Sequence, residues 1–292
     1  ELYAIDKIAR SRGIKQKIML RITPGIDPHT YAAVATGKVD SKFGSAIETG
    51  QADEITKTAL SLEHVQLRGF HCHVGSQVFD SDVYIRTSQV MLDFVAHINA
   101  TQGYLAHELD IGGGYGVRYI ADQPEIDIAA NIAQVGEFMH AHAKKLGITL
   151  PEIAFEPGRS IVADAGLTVY TVGTVKNIPG YKRYVSVDGG MTDNPRFALY
   201  GSRYTVVAAG KLNEACDFEC SVVGRCCESG DIIGENIKLP ASIGRGDVIA
   251  VLTTGAYNYS MSSNYNRIGR LPIVMINESD DYIAVKRESL ED

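Results

Sequence analysis

From Leu2 to Phe155 the chain alternates short apolar runs with amphipathic stretches, and nowhere in that span does it read as a tight hairpin. Strands separated by helices run parallel, because each crossover returns the chain to the same end of the sheet. The spacing predicts strands over 18–22, 67–74, 107–111 and 153–155, and helices over 2–12, 49–62, 82–100 and 128–146. The first helix places Leu2, Ile5, Ile8 and Ala9 on one side and stops at Gly13; Gly147 caps the last. Ile153-Ala154-Phe155 reads as a buried parallel strand, and Pro157-Gly158 ends it. Residues 27–45 have little periodicity and read as a long loop. Lys42 in that loop is either a charge near a site or a solvated loop lysine.

Beyond about Gly166 the texture changes. Residues 168–172, 183–187, 218–223, 247–252 and 273–276 are short strand-like runs separated by Gly, Asp, Asn and Pro clusters. This predicts an all-β second domain over 166–292, a barrel or sandwich, after an α/β domain over 1–165.

Composition narrows the function classes. The 292 residues are 45% apolar and 22% charged, as in a soluble globular protein. A net charge of -7 and a pI near 5.6 argue against nucleic acid as a partner. No apolar run approaches the length needed to cross a bilayer, and Glu1 to Asp6 lack a basic region followed by an apolar one. The five cysteines, Cys72, Cys216, Cys220, Cys226 and Cys227, make a poor disulfide framework and have no zinc spacing. A reducing cytoplasm is therefore the expected location.

Chemistry gathers where the parallel strands end, which is where ligands bind in α/β folds. Glu156-Pro157-Gly158-Arg159 fixes a carboxylate and a guanidinium at one strand end, as a site or as an ordinary ion pair. Gly112-Gly113-Gly114-Tyr115-Gly116 follows another strand, where backbone amides approach a phosphate closely because no Cβ intervenes. Val117 stands where a dinucleotide fingerprint needs glycine, so that reading fails, and a tight turn without ligand is the other alternative. His71 and His73 fall on one face of their strand. They could ligate a metal, as in TIM-barrel hydrolases; one could lie flat on an aromatic cofactor; or both could be satisfied core histidines. Glycines for a phosphate, an imidazole for a ring face and Glu156 for a pyridine nitrogen together suit pyridoxal phosphate.

Several motifs then carry a resemblance: His73-Val74-Gly75-Ser76-Gln77, Asp110-Ile111-Gly112-Gly113-Gly114, Glu156-Pro157-Gly158-Arg159, Cys227-Glu228-Ser229-Gly230-Asp231 and Gly255-Ala256-Tyr257. In this order they resemble the pyridoxal-phosphate decarboxylases of the alanine-racemase-like fold. Arg21 to Asp27, Lys42-Phe43-Gly44, Asp188 to Met191 and Arg196 to Gly201 bring the chain nearest to the branch that converts meso-2,6-diaminopimelate to lysine and carbon dioxide. The resemblance implies that His73 stacks on the cofactor ring. Glu156 would hold its ring nitrogen, while Ser76 and the backbone at Gly112, Gly113, Gly114, Gly158 and Arg159 would bind its phosphate, with a hydroxyl from Tyr257. It also implies that Arg159, Arg196, Tyr200 and Tyr257 contact the substrate, that Glu228 receives its distal ammonium, and that Cys227 is the acid that protonates the carbanion. In this family Cys227 and Glu228 complete the partner subunit's site, so a homodimer is implied.

The family's cofactor-anchoring lysine lies in a Tyr-Ala-x-Lys-Ala-Asn context, and no lysine of this sequence has it. The expectation is that the chain supplies strands five to eight of an eight-stranded (β/α) barrel followed by the β domain, and that it cannot anchor the cofactor covalently by itself. Three further readings stay open: a related decarboxylase of ornithine, arginine or carboxynorspermidine, a metal-dependent hydrolase built on His71 and His73, and a catalytically dead regulatory homologue, which the missing lysine allows.

Overall fold

The computed structural model describes residues 1–27, 37 and 39–292, so part of the loop expected over 27–45 lies outside the described residues. The chain divides into two compact units: Glu1–Val117 with Pro124–Ser160, and Arg118–Gln123 with Ile161–Asp292. The sequence places the division at 165/166; the structure places it at 160/161, with residues 118–123 joining the second unit.

The first unit is a parallel sheet with helical crossovers. Its strands are β1 (Gln16–Thr23), β2 (Ser45–Ala46), β3 (Val65–His71), β4 (Glu108–Asp110) and β5 (Glu152–Ala154), in the order β2-β1-β3-β4-β5. Its helices are α1 (Leu2–Ser11), α2 (Gln51–Ser61), α3 (Ser81–Gln102) and α4 (Ile128–Leu146). The α4 bounds follow from capping: Asp127 accepts the Ala130 amide at 2.9 Å, and Gly147 closes the helix at φ 69°.

Register turns the sheet into rows. Leu20 pairs with Phe70, Phe70 with Leu109 and Leu109 with Ile153. The first three are buried in the core that also holds Met91, Leu92 and Ile98 of α3 and Val135 and Met139 of α4. The next row is Arg21, His71 and Asp110. Because side chains alternate along a strand, that row stands on the face opposite the apolar one.

Two expectations need correction. β5 is only half-buried: Ile153 packs against the core, while Glu152 and Ala154, on the other face of this outer strand, are exposed. In α1 the inward side is Leu2, Asp6 and Ala9, while Ile8 is 55% exposed. Asp6 displaces it because its carboxylate accepts the His64 amide at 2.8 Å.

The second unit is built on a six-stranded sheet in the order β10-β9-β7-β6-β11-β8. The strands are β6 (Leu167–Ile178), β7 (Lys182–Val187), β8 (Val206–Ala208), β9 (Phe218–Val223), β10 (Ile232–Leu239) and β11 (Val248–Leu252). The outermost pair, β10 and β8, approach one another, so the sheet curls. A hairpin, β12 (Ile273–Ile276) with β13 (Asp281–Val285), stands apart from it. Short helices α5 (Arg159–Val162) and α6 (Arg196–Tyr200) also form. Residues 118–123 are held to this unit: Thr205 donates its amide and hydroxyl to the Tyr119 carbonyl at 3.2 and 2.9 Å, and Tyr119 packs edge-on against Tyr204. Among the described residues no helix is long and apolar enough to cross a membrane.

Candidate active site

In the first unit the polar row ends at the tips of β1, β3, β4 and β5. His71 Nε2 lies 3.0 Å from Oε2 of Glu156, whose side chain is 56% exposed, so the imidazole braces a carboxylate that otherwise faces outward. Asp110 Oδ1 accepts the Gly112 amide at 2.7 Å, while burial pushes the Asp110 carboxyl above its ordinary range. The Arg21 guanidinium sits 4.5 Å above the Phe43 ring, and burial lowers its pKa against the opposing pull of Cys72 and Glu156. Lys42 is exposed, with Nζ 5.0 Å from the centre of that ring, which fits the solvated alternative.

His73 lies two residues beyond the end of β3. Its Nδ1 accepts the Gly113 amide at 3.2 Å, which leaves Nε2 to carry the proton. Burial, then Arg21 and His71, lower its pKa, so the ring is neutral at pH 7. The three glycines are required by backbone crowding: a Cβ on Gly112 would meet the Cys72 carbonyl at 2.4 Å, on Gly113 the Glu156 carbonyl at 2.0 Å, and on Gly114 the Gly75 carbonyl at 2.1 Å. Gly112 and Gly114 also adopt φ of 76° and 103°. Gly158 is exposed and leads into α5, whose first residue, Arg159, is buried and donates from Nη2 to Ser76 Oγ at 2.9 Å. The expected residues His73, Ser76, Gly112 to Gly114, Glu156, Gly158 and Arg159 thus belong to one end of one sheet.

The pairing of His71 with His73 as metal ligands is corrected. The groups that converge with His71 are Asp110 and Glu156, their ligand atoms all within 4.8 Å of one another, while His73 Nδ1 is taken by the Gly113 amide.

In the second unit Arg196 is buried inside a ring of tyrosines. Its guanidinium carbon lies 5.5 Å from the Tyr200 ring centre, 5.8 Å from Tyr119 and 6.0 Å from Tyr257. Nε donates to the Tyr204 hydroxyl at 2.7 Å, Nη2 to Ser202 Oγ at 3.3 Å, and the Tyr204 hydroxyl donates to Asn258 Oδ1 at 3.3 Å. Burial raises the Tyr204 phenol to about 12, so it stays a neutral partner. No carboxylate among the described residues forms an ion pair with Arg196. Tyr257 holds a positive φ of 70°, rare for a tyrosine. Cys227 and Glu228 are exposed on the turn between β9 and β10, where Asn266 Oδ1 accepts the Cys227 amide at 2.9 Å.

Comparison with known proteins places this geometry. Residues 1–163 match the family described as pyridoxal-dependent decarboxylase, pyridoxal binding domain. The chain belongs to that family. It is 40% identical over 292 residues to diaminopimelate decarboxylase of Bacillus subtilis, covering all of this chain and 66% of the relative. It is 39% identical over 289 residues to that of Staphylococcus aureus, covering 99% of this chain and 68% of the relative. Among solved structures, diaminopimelate decarboxylase from M. jannaschii in complex with L-lysine superposes with a TM-score of 0.90 at 32% identity, over 100% of this chain and 65% of that one. The chain therefore spans about two thirds of the length of the relatives it matches.

Three residues of this family member went unread as site candidates in the sequence. Arg21 and Asp110 look like a strand cation and a turn-forming acid, and His71 reads as a metal ligand, a ring on a cofactor or a core histidine, not as the partner of Glu156. The usable signal was register, which sets all three in one row.

Proposed function

We propose that this chain forms part of a decarboxylase that converts meso-2,6-diaminopimelate to L-lysine and carbon dioxide with pyridoxal phosphate. The observation that carries the substrate reading is Arg196, a buried guanidinium boxed by tyrosines and without a carboxylate partner among the described residues. A planar cation so placed favours a substrate bringing an additional carboxylate, which diaminopimelate has and ornithine and arginine lack. The curated relatives at 36–40% identity support the same assignment.

The donors at the strand tips fit the cofactor's chemistry. A neutral imidazole suits stacking on a heteroaromatic ring, and Glu156, braced by His71, suits a protonated pyridine nitrogen. The Gly112 and Gly113 amides are taken by Asp110 and His73, so the backbone at Gly114, Gly158 and Arg159, beside the Ser76 hydroxyl, is what would hold the phosphate. Pyridoxal phosphate, when bound, supplies an electron-withdrawing ring that stabilises the charge left as the carboxyl group departs. The chain's own residues then orient and protonate. Arg159, Arg196 and Tyr200 hold a substrate carboxylate, Tyr257 contributes a hydroxyl, Glu228 receives the distal ammonium, and Cys227 delivers a proton to the substrate carbon.

The parallel five-stranded unit is read as the C-terminal half of an alanine-racemase-like barrel. The exposure of Cys227 and Glu228 supports a homodimer in which they serve the partner's site. A cytoplasmic setting accords with five free cysteines.

The test is carbon dioxide release by the whole protein from meso-diaminopimelate, ornithine, arginine and carboxynorspermidine, with added pyridoxal phosphate. Lysine appearing from the first alone is the expected result. Turnover of ornithine or arginine in its place overturns the substrate reading, and turnover undiminished by removing the cofactor overturns the mechanism.

A further inference from the structure

The turn that carries Cys227 and Glu228 is gripped from within by Asp231, which is only 3% exposed. Its Oδ1 accepts the Met191 amide at 2.6 Å and its Oδ2 the Cys226 amide at 2.7 Å. Its own backbone closes the same turn, the amide donating to the Glu228 carbonyl at 3.1 Å and the carbonyl accepting from Gly224 at 3.0 Å. Two glycines from different segments make room for the carboxylate: a Cβ on Gly190 would lie 2.5 Å from Oδ1, and one on Gly224 would lie 2.2 Å from Oδ2. A third strut runs from the Arg225 amide to the Gly189 carbonyl at 3.1 Å.

A buried carboxylate is costly unless its oxygens are satisfied, and this one is satisfied by amides from two separate loops. We propose that Asp231 is a positioning residue: its carboxylate locks the loop 189–191 to the turn 224–228 and so fixes the place from which Cys227 and Glu228 act. This rests on the roles given to Cys227 and Glu228 above. The clamp also separates the adjacent thiols chemically. The charged groups facing Cys226 are Asp231, Asp193 and Arg225; burial and then Asp231 push its thiol up to about 11. Cys227 is thereby the solvent-exposed thiol of the pair.

Asp231→Asn keeps the side chain's shape but presents an NH2 group to one of the two amide donors. Iodoacetamide alkylation is followed across pH, with Cys226 and Cys227 resolved by tandem mass spectrometry. In the parent, Cys227 reacts first and Cys226 only towards pH 11. In Asp231→Asn the Cys226 profile moves down by about one pH unit, about tenfold in rate at a fixed pH. In the whole enzyme the same variant lowers kcat with KM little changed. A folded Asp231→Asn protein with both thiol profiles unaltered overturns the proposal. Should that variant not fold, amide hydrogen exchange on the parent decides: slow exchange at both Met191 and Cys226 is expected, and fast exchange at both overturns the clamp. Cys227→Ala tests the underlying reading separately, since undiminished turnover there removes the role of Cys227 while the thiol and exchange data still report on Asp231.

Discussion

His73 and Asp110 sit at neighbouring strand ends and carry opposite linkage to pH. The His73 pKa is lowered in the fold, so below the unfolded value of about 6.5 the unfolded chain binds more protons, and stability falls as pH drops from there towards the folded value. The expected observation is a melting temperature that declines on acidification below pH 6.5, with a shallower decline in His73→Gln. For Asp110 the folded pKa is raised, so its contribution to stability is lost as pH rises from about 3.9 through the folded value, and at pH 7 the carboxylate is a burden. Asp110→Asn retains an oxygen for the Gly112 amide and removes the buried charge; a gain of about 1 kcal/mol at pH 7 by thermal denaturation is the expected outcome. His73 is read from its motif, but the place of Asp110 is not legible from the residue alone. An aspartate before three glycines reads as a turn former, and only strand register sets it beside His71 and Arg21. By contrast Glu156, Arg159 and the glycine run announced themselves, because a strand terminated by Pro-Gly or Gly-Gly-Gly leaves its charged neighbours at the tip.

Between elements, the narrowest tolerance lies where β4 meets β5. Gly113 has no unusual φ; its constraint is the Glu156 carbonyl, which a Cβ would reach at 2.0 Å. Gly113→Ala must part the two tips and displace the Glu156 backbone, so a loss of about 3 kcal/mol in chemical denaturation is expected, together with weaker pyridoxal phosphate binding. Removing the cap of α4 by Asp127→Ala should cost about 1 kcal/mol and leave cofactor binding alone, which separates general stability from damage at the strand ends. α3 and α4 were readable because caps and period agree: each opens on an aspartate that accepts a first-turn amide and closes on a glycine. β10 was not readable: its register breaks twice in eight residues and Asn236 takes φ 54°, which scrambles the alternation a strand shows in sequence. β13 is exposed along nearly its whole length, so burial writes no pattern into it.

On the scale of the whole molecule, β5 presents its outer edge with no strand beside it among the described residues. Such an edge is a template for pairing with another chain. The proposed homodimer predicts that the whole protein sediments at twice its chain mass at micromolar concentration, and a concentration-independent monomer contradicts the sharing of Cys227 and Glu228 between subunits. The path of the backbone has its own corollary. Since the hexapeptide Arg118–Gln123 is lodged in the second unit by Tyr119 and Thr205, the polypeptide passes from one unit to the other three times. No single scission can therefore yield two intact halves: a product ending at residue 160 carries off a strip of its neighbour's fabric, and the remnant is left with a gap where Tyr119 belonged.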